Sequence, residues 1–290
     1  MKILAIGPYI GSWEEEIMTF RPYARWLSEA ILWDKIYLST HMNRLFLYDF
    51  VPTENIIPVY QHFSRDEKNQ KGYIHKNLTK KDFKLILRNF KEKLLEKENC
   101  NRKDIEIHNL SYSKSTPPYS IYNKIFEEIP DITLKIPKTR ENQIIFIPAK
   151  QEKLEKLAYI YKWLKDRYDI IVVGSTDTWF SNDNIVLNKI DYFENGWKYI
   201  IQYITKANAV ICPSSYWTGI ANLQSKNVFS WGMNPGQYRD GGIYNFGNSN
   251  CSVIPSDDDT SPDVIIKSME SFINEIQAIC GRKTKSNQGF

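Results

Sequence analysis

The second half of the chain alternates short apolar runs with longer amphipathic segments, and this alternation limits the fold more than any other feature. Four apolar runs each stop at a proline or a glycine, and they lie at residues 144–147, 170–173, 209–212 and 228–231. The segments between them place apolar residues three and four positions apart, the spacing of a helix with one buried face. This order of strands and helices predicts an α/β domain with a parallel sheet of Rossmann-like type.

The first half repeats the pattern with a different beginning. Lys2–Ile6 is a predicted buried strand, and a glycine-containing loop at residues 7–11 and a helix over residues 15–30 follow it. The pattern restarts near residues 135–142, so we predict two Rossmann-like domains, 1–141 and 142–290. Ligands of such sheets bind at the carboxyl ends of the strands, so we expect the domains to face each other across a cleft. The final helix, from Pro262, is expected to pack back across the domains.

Composition excludes several classes of protein. The chain is 42% hydrophobic, too apolar for a disordered protein, and no apolar stretch approaches the roughly 20 residues of a membrane helix. Its four cysteines and four histidines are dispersed without a C-x-x-C pair, which argues against a disulfide framework and a zinc site. We therefore predict a cytoplasmic, reduced protein that binds no metal.

Positive charge is concentrated in one segment. Residues 64–103 hold thirteen Lys or Arg against six Asp or Glu, a net charge of +7, whereas the whole chain carries +4. This segment is a predicted basic helical insertion in the first domain. The simpler interpretation is a solvated helix face, and the alternative is a surface that meets a phosphate-bearing partner.

The stretch "ANAVICPSSYWTGIANLQSKNVFSWG" at residues 207–232 places two serines between a strand and a helix. Pro213-Ser214-Ser215 lies at the carboxyl end of the strand and at the amino end of the helix, where backbone N–H groups and the helix dipole favour a phosphate. The hydroxyls of Ser214, Ser215 and Thr218 are candidate further donors. In the alternative interpretation, Ser215 only caps the helix.

The order of the motifs resembles the lipopolysaccharide heptosyltransferase-like family (glycosyltransferase family 9-like), whose members have the GT-B fold. The resemblance is carried by "GSWEEEIMTFRP", "IIFIPAKQEKLEKLAYIYKWLKDRYDIIVVGS" and "CPSSYWTGIANLQSKNVFSWG", and it covers most of the chain except the basic insertion. Pro213 stands where the family has Asp, Ser215 where it has Gly, and Thr218 where it commonly has His. These departures leave the nucleotide and the sugar open.

The resemblance implies the roles of several charged residues. Glu16 precedes Pro22 by six positions, which matches the acidic position of the family and makes Glu16 the candidate catalytic base. Glu15 and Glu14 are its adjacent competitors. Lys150 and Lys153 follow the first strand of the second domain, and the resemblance implies that one of them meets the diphosphate of the donor. We expect Lys156 to be a solvated surface charge.

Other candidate residues follow from their place in predicted loops. Gly174, Ser175 and Thr176 end a neighbouring strand and are expected to approach the nucleotide. The glycine-rich loop 232–242 either covers the donor, with Arg239 or Gln237 reaching it, or is an ordinary connection. Four loop aromatics are candidates for an acceptor platform: Tyr9, Trp13, Tyr119 and Trp179. The "DDD" at 257–259 is predicted to be a solvated turn.

These expectations combine into a predicted glycosyltransferase that moves a sugar from a nucleotide-diphosphate sugar to an acceptor hydroxyl, with inversion and without a metal. No cofactor is expected beyond this donor substrate, and the oligomeric state stays open. The acceptor is a saccharide or a modified base in DNA, as in phage DNA modification. The alternatives are a non-catalytic nucleotide-sugar-binding protein of the same fold and a nucleotide-sugar epimerase.

Overall fold

The computed structural model describes residues 1–11, 13–59, 80–109, 143–148, 152–175, 184–187, 197–238, 248 and 250–286. The chain forms two compact units. The first comprises Met1–Ile132 and Phe193–Asn195, and the second comprises Thr133–Tyr192 and Gly196–Phe290. The boundary that we predicted after residue 141 falls among residues outside the described ranges and stays a prediction.

The first unit contains a three-stranded parallel sheet. Its strands are β1 (Ile3–Ile6), β2 (Lys35–Leu38) and β3 (Ile105–His108), in the order β2-β1-β3. All four residues of β1 are buried, as expected for a central strand of a parallel sheet. Ile56 also makes a single parallel bridge to Leu38 of β2.

The helices of the first unit follow its strands. A helical turn, α1 (Trp13–Glu15), leads through a π-helical segment (Glu16–Phe20) into α2 (Arg21–Ala30), and a 3₁₀-helix (Met42–Leu47) follows β2. The basic segment contains α3 (Lys80–Glu98). Four apolar residues of α3 are buried at helical spacing: Phe83, Ile86, Phe90 and Leu94. This buried stripe confirms the helix predicted for that segment.

The second unit contains a six-stranded parallel sheet. Its strands are β4 (Ile144–Phe146), β5 (Ile170–Ser175), β6 (Asn184–Leu187), β7 (Ala209–Pro213), β8 (Asn227–Gly232) and β9 (Cys251–Pro255). They are ordered β6-β5-β4-β7-β8-β9, which is the strand order 3-2-1-4-5-6 of dinucleotide-binding Rossmann folds. Four of these strands, β4, β5, β7 and β8, coincide with the four apolar runs of the sequence. The Rossmann-like prediction is therefore confirmed for this unit.

Helices of the second unit are α4 (Leu154–Lys165), α5 (Trp197–Lys206), α6 (Tyr216–Leu223) and α7 (Pro262–Ser286). The amino-terminal half of α7 packs on the second sheet, since Ile265, Met269 and Phe272 share a core with Phe229 and Trp231. The return of this helix across the first domain stays a prediction. Within the described ranges, no helix is long and apolar enough to cross a membrane.

Candidate functional site

A pocket of about 440 Å³ lies at the carboxyl ends of β7, β8 and β9 in the second unit. These strands are parallel, so the loops that follow them meet at one edge of the sheet. The described lining residues are Glu152, Pro213, Ser214, Ser215, Tyr216, Trp231, Gly232, Met233, Asn234, Gln237, Ser256, Asp257 and Asp258. The pocket thus includes both serines of the sequence motif, and Gln237 of the glycine-rich loop.

The two serines are fixed by the strand before them and the helix after them. The backbone N–H of Ser214 donates to Trp231 O at 2.6 Å, which continues the pairing of β7 with β8. Ser215 is the N-cap of α6 with an extended backbone, and its N–H donates to Thr218 Oγ1 at 3.2 Å. Both serines are partly exposed in the pocket wall, and the Oγ atom of Ser215 is itself buried. Ser215 therefore caps the helix and also lines the pocket, so the two interpretations of the sequence are compatible.

The side chain of Thr218 does not face the pocket as we expected. Its side chain is fully buried, and its hydroxyl oxygen lies 3.3 Å from Cys212 Sγ and 3.1 Å from Ser230 Oγ. Burial raises the pKa of the Cys212 thiol to about 12, so this partner stays protonated at neutral pH. Thr218 thus joins β7, α6 and β8 from the inside. The expectation that it donates to a phosphate is wrong in this arrangement.

Gly232 ends β8 in close contact with Ser214. A Cβ atom added at Gly232 would lie 2.5 Å from Ser214 Cβ, closer than two such atoms approach in real structures. No such obstacle exists at Gly236 in the same loop, where an added Cβ would meet nothing within 4 Å. The glycine at position 232 therefore lets β8 end directly against the serine turn.

A buried network supports the pocket wall and joins three separate parts of the chain. Trp231 Nε1 donates to Glu152 Oε2 at 2.7 Å, and Lys156 Nζ lies 3.2 Å from Glu152 Oε1. The same ammonium donates to Asp257 O at 2.7 Å. Lys156 is only 5% exposed, so our expectation of a solvated charge was wrong. The ammonium neutralises Glu152 and fixes the turn that follows β9.

The acidic turn at 257–259 is exposed, as predicted, and it also forms part of the pocket. The Asp257 carboxylate accepts from Thr260 Oγ1 at 2.6 Å and from the Asp259 N–H at 3.1 Å. These hydrogen bonds, the one from Thr260 first, hold the pKa of Asp257 below its ordinary value. Asp258 is exposed beside it in the lining. The sequence pattern does not predict β9, so it does not predict Asp257 or Asp258 as pocket residues either.

The predicted cationic residues are placed unevenly. Lys153 is exposed at the N-cap of α4, and its Nζ donates to Asp258 O at 3.2 Å. Lys150 and Arg239 lie outside the described residues. The described part of the lining holds three carboxylates, of Glu152, Asp257 and Asp258, and no Lys or Arg. Lys153 therefore contacts the rim of the pocket through its hydrogen bond to the acidic turn.

The remaining predicted nucleotide residues are only partly described. Gly174 and Ser175 are the last two residues of β5, at the carboxyl edge of the second sheet, as expected. Thr176 lies outside the described ranges. The roles of these residues stay predictions.

In the first unit, Glu16 occupies the start of the π-helical segment and is fully buried. Its Oε1 accepts from the hydroxyls of Thr40 and Tyr48, the latter at 2.5 Å. Its Oε2 accepts from Arg44 Nη1 at 2.5 Å, which also donates to Gly11 O at 2.9 Å. Both carboxylate oxygens are thus occupied by protein donors. This arrangement favours a structural role, and the assignment of Glu16 as catalytic base stays a prediction.

Glu15 and His41, which lie beside this network, differ in exposure. Glu15 is exposed. His41 is 8% exposed, and its Nε2 has no hydrogen-bond partner among the residues that the structure describes. Burial, and then the nearby charge of Arg44, lowers the pKa of His41 well below its ordinary value. The imidazole is therefore neutral at pH 7.

The predicted aromatic platform is wrong for two of its four members. Tyr9 is 5% exposed and packs on Phe20 with ring centroids 4.6 Å apart, and Trp13 is 8% exposed. Both residues belong to the core of the first unit, since the segment after residue 12 is helical rather than a loop. Tyr119 and Trp179 lie outside the described ranges.

Among the described residues, no group of three or more His, Cys, Asp or Glu is arranged to hold a metal ion. By sequence, the chain matches neither a protein-family model nor a curated protein.

Structural comparison gives matches over nearly the whole chain. The structure of E. coli ADP-heptose lps heptosyltransferase II is similar with a TM-score of 0.52, at 13% identity over 96% of this chain and 100% of that chain. A glycosyl transferase family 9 protein from Veillonella parvula DSM 2008 gives 0.55, at 11% identity over 94% and 98%. E. coli heptosyltransferase WaaC with ADP gives 0.52, at 10% identity over 94% and 100%.

At these identities the likeness concerns the fold. The predicted fold class is confirmed by structures that share it almost from end to end. The resemblance first drawn from three sequence motifs therefore holds at the level of architecture, and this chain has the GT-B fold of the heptosyltransferases.

Proposed function

We propose that this chain is a glycosyltransferase that moves a sugar from a nucleotide-diphosphate sugar to an acceptor hydroxyl. The observation that carries the proposal is the pocket at the carboxyl edge of the second sheet, where Ser214 and Ser215 lie at the amino end of α6. A helix amino end favours anions, and serine hydroxyls add donors. The nearly full-length likeness to heptosyltransferase structures supports the same reaction class.

The charges of the pocket suggest how the donor is oriented. The diphosphate binds at Ser214 and Ser215, because these residues bring donors without negative charge. The Asp258 carboxylate repels phosphate but accepts hydrogen bonds from hydroxyl groups. A hydroxyl-rich part of the donor therefore lies on the side of Asp258. Lys150, Lys153 and Arg239 are the proposed cations that stabilise the departing diphosphate.

In the proposed reaction the acceptor oxygen attacks the anomeric carbon, and the bond from that carbon to the diphosphate breaks. The proposal includes inversion at this carbon and no metal. A base must take the proton of the acceptor hydroxyl. Glu16 is fully buried and accepts from protein donors on both oxygens. These contacts favour a base other than Glu16.

The proposed acceptor is a saccharide. One observation favours the second class, a modified base in DNA. A groove of about 610 Å³ between α3 and β3 is lined by four cations, Lys84, Arg88, Lys91 and Arg102, together with Glu92 and aliphatic side chains. Cations so placed suit a phosphate backbone. Binding of duplex DNA that weakens steeply as salt rises would assign the acceptor to this second class.

The test of the donor site is a calorimetric titration with nucleoside diphosphates, guided by a thermal-shift screen, since a ligand that binds the native state raises the melting temperature. We expect one diphosphate to bind, and Ser214→Ala/Ser215→Ala to weaken it by about 1–3 kcal/mol, the scale of lost hydrogen bonds to a charged group.

Ser271→Ala is the matched control, because Ser271 is exposed on α7 and does not line the pocket. It should leave the affinity unchanged. Equal affinity of the double variant and the wild type would reduce the serine pair to a helix cap. If no nucleoside diphosphate binds, the proposed function is wrong.

A further inference from the structure

The pocket of the second unit has an apolar side as well as a polar one. Tyr216, the first residue of α6, lines the pocket and is 46% exposed. Met233, directly after β8, also lines it and is 80% exposed. An aromatic ring contributes most when its faces are covered, so a half-exposed ring in a pocket wall offers a packing surface to a ligand. The thioether of Met233 adds a second, adaptable apolar surface.

These two residues lie beside the serine turn. Tyr216 follows Ser215 directly, and Met233 follows Gly232. The end of β8 lies against the serine turn, because a Cβ atom added at Gly232 would be 2.5 Å from Ser214 Cβ. The proposed function puts the diphosphate of the donor at the serines, so a group bonded to a phosphate lies against Tyr216 and Met233. The donor has two such groups, the ribose and the transferred sugar.

Exposure distinguishes these two sugars. The transferred sugar must be reached by an acceptor, whereas the ribose can be enclosed by the protein. Tyr216, Met233 and Asp258 are all exposed in the lining, whereas Pro213 and Trp231 in the inner wall are buried. The exposed side of the pocket therefore suits the transferred sugar.

The polar part of this exposed side is acidic. The side-chain carboxylate of Asp258 makes no hydrogen bond or ion pair with the part of the chain that the structure describes. Asp257 lies next to it in the lining, and Lys153 donates only to the main-chain oxygen of Asp258. Carboxylates accept hydrogen bonds from sugar hydroxyls, but they repel an acidic group at short range. The charges of the lining thus favour one class of sugar over another.

We propose that this side of the pocket binds the transferred sugar and selects a sugar without an acidic group; this inference rests on the proposed glycosyltransferase function. The ring of Tyr216 packs against the C–H face of the sugar, and Met233 contacts its edge. The free carboxylate of Asp258 accepts from the sugar hydroxyls. A carboxylate or phosphate on the sugar would face two aspartates, while the proposed cations are engaged by the diphosphate. Tyr216 and Asp258 are therefore the residues that determine donor specificity.

The first test compares matched donors by calorimetry. The probes are the glucose and galactose conjugates of the nucleoside diphosphate that binds in the screen, and the corresponding glucuronate and galacturonate conjugates. Each pair differs only by a hydroxymethyl group and a carboxylate. We expect each uronate to bind about 5- to 30-fold more weakly than its neutral counterpart, the range for one or two like charges at short distance in water. Uronates that bind as tightly as the neutral sugars would overturn the inference and leave the proposed function intact.

The second test removes the free carboxylate. Asp258→Asn should reduce the discrimination between neutral and acidic sugars by about 5-fold, because one repelling charge is lost. Asp259→Asn is the matched control, since Asp259 is exposed in the same turn and is not among the lining residues that the structure describes. It should retain most of the discrimination. Full discrimination in Asp258→Asn would overturn the role of this carboxylate.

The third test removes the aromatic ring. Tyr216→Ala should weaken binding of the neutral conjugates by about 2- to 10-fold, the scale of an aromatic packing contact, and leave the affinity for the bare nucleoside diphosphate unchanged. Tyr216→Phe keeps the ring and should retain the affinity for the conjugates. Tyr159→Ala is the matched control, because Tyr159 is similarly exposed on α4 and is not among the described lining residues.

An equal loss of affinity for the bare nucleoside diphosphate in Tyr216→Ala would place the ring against the nucleoside or the diphosphate and would overturn the inference alone. Absence of nucleoside diphosphate binding in the wild type would overturn the proposed function and the inference together.

Discussion

The two units of this chain use the carboxyl edges of their parallel sheets differently. At the edge of the second sheet, Ser214, Ser215 and Asp258 are partly or fully exposed in a pocket, and the buried ties of the wall lie behind them. After the first strand of the first sheet, Glu16 is enclosed with Arg44, and their charges neutralise each other inside the protein. Both edges gather polar residues, but only the edge of the second sheet exposes them to a ligand.

The difference arises from the number of donors that the neighbouring segment supplies. Residues 40–48 after β2 bring two hydroxyls and one guanidinium to a single carboxylate, so the buried charge is fully satisfied. The loops after β7, β8 and β9 bring mostly small or acidic residues, which leave donors and acceptors facing the cavity. A polar residue after a strand therefore indicates a ligand site only when the neighbouring segments leave it unsatisfied.

The variant with the largest expected effect breaks the buried ion pair between Glu16 and Arg44. Glu16→Gln leaves the buried guanidinium of Arg44 without its counter-charge, and loss of one partner of a buried pair costs about 3–5 kcal/mol. We expect this loss in the free energy of unfolding measured with urea. Glu15→Gln, at the exposed neighbouring position, should stay within about 0.5 kcal/mol of the wild type.

The alternative outcome for this pair of variants is informative. If Glu16→Gln is as stable as the wild type but loses donor turnover, the buried carboxylate is the base, and the comparison between the two edges fails.

A variant with a smaller expected effect tests the pocket at the edge of the second sheet. Gly232→Ala places a Cβ against Ser214, and such overpacking costs about 1–3 kcal/mol because the neighbouring atoms must move. We expect a similar loss in the calorimetric affinity for the nucleoside diphosphate, since the displaced residue lines the pocket. Gly236→Ala has open space around the new methyl group and is the matched control. Equal affinities of the two variants would show that the position of Ser214 is unimportant for binding.

The smallest expected effect concerns His41 in the first unit and the pH dependence of the free energy of unfolding. The folded-state pKa of His41 is lowered, so as pH falls the unfolded chain takes up the proton first. Stability is therefore complete above the unfolded pKa of about 6.5 and is lost below it, by at most about 1.4 kcal/mol per pH unit. His41→Leu removes this contribution, and unfolding in urea between pH 7 and pH 5 (roughly the titration range) should show a shallower slope. The same slope in both proteins would mean that His41 is protonated in the folded state.

Much of the fold could be predicted from the sequence because apolar runs of adequate length mark strands. The run "AVIC" before Pro213 predicts β7, which the structure places at Ala209–Pro213. The strand β9 is not predicted from the sequence, because only Val253 among its five residues is buried and its apolar pattern is therefore weak. Missing this edge strand also hid the acidic turn of the pocket.

The candidate site was less predictable because it depends on partners distant in sequence. Glu152 and Lys156 are four positions apart, but nothing near them in the sequence indicates that the ammonium is buried and also donates to the Asp257 carbonyl. The hydroxyl of Thr218 is likewise turned inward by Cys212 and Ser230, one before and one after its helix. Strand ends can be located from local pattern, but the direction of a side chain is decided by tertiary contacts.

The hydrogen bonds between α4 and the turn after β9 join residues that leave the ribosome at very different times. Lys156 and Asp257 are 101 positions apart, and Lys153 and Asp258 are 105 apart. Contacts of such long sequence separation close late, since the entropy of a large loop must be lost before they form. During synthesis, the pocket wall cannot be complete until β9 and the acidic turn have emerged. Recognition of a ligand by this pocket therefore requires two segments of the chain that are synthesised about a hundred residues apart.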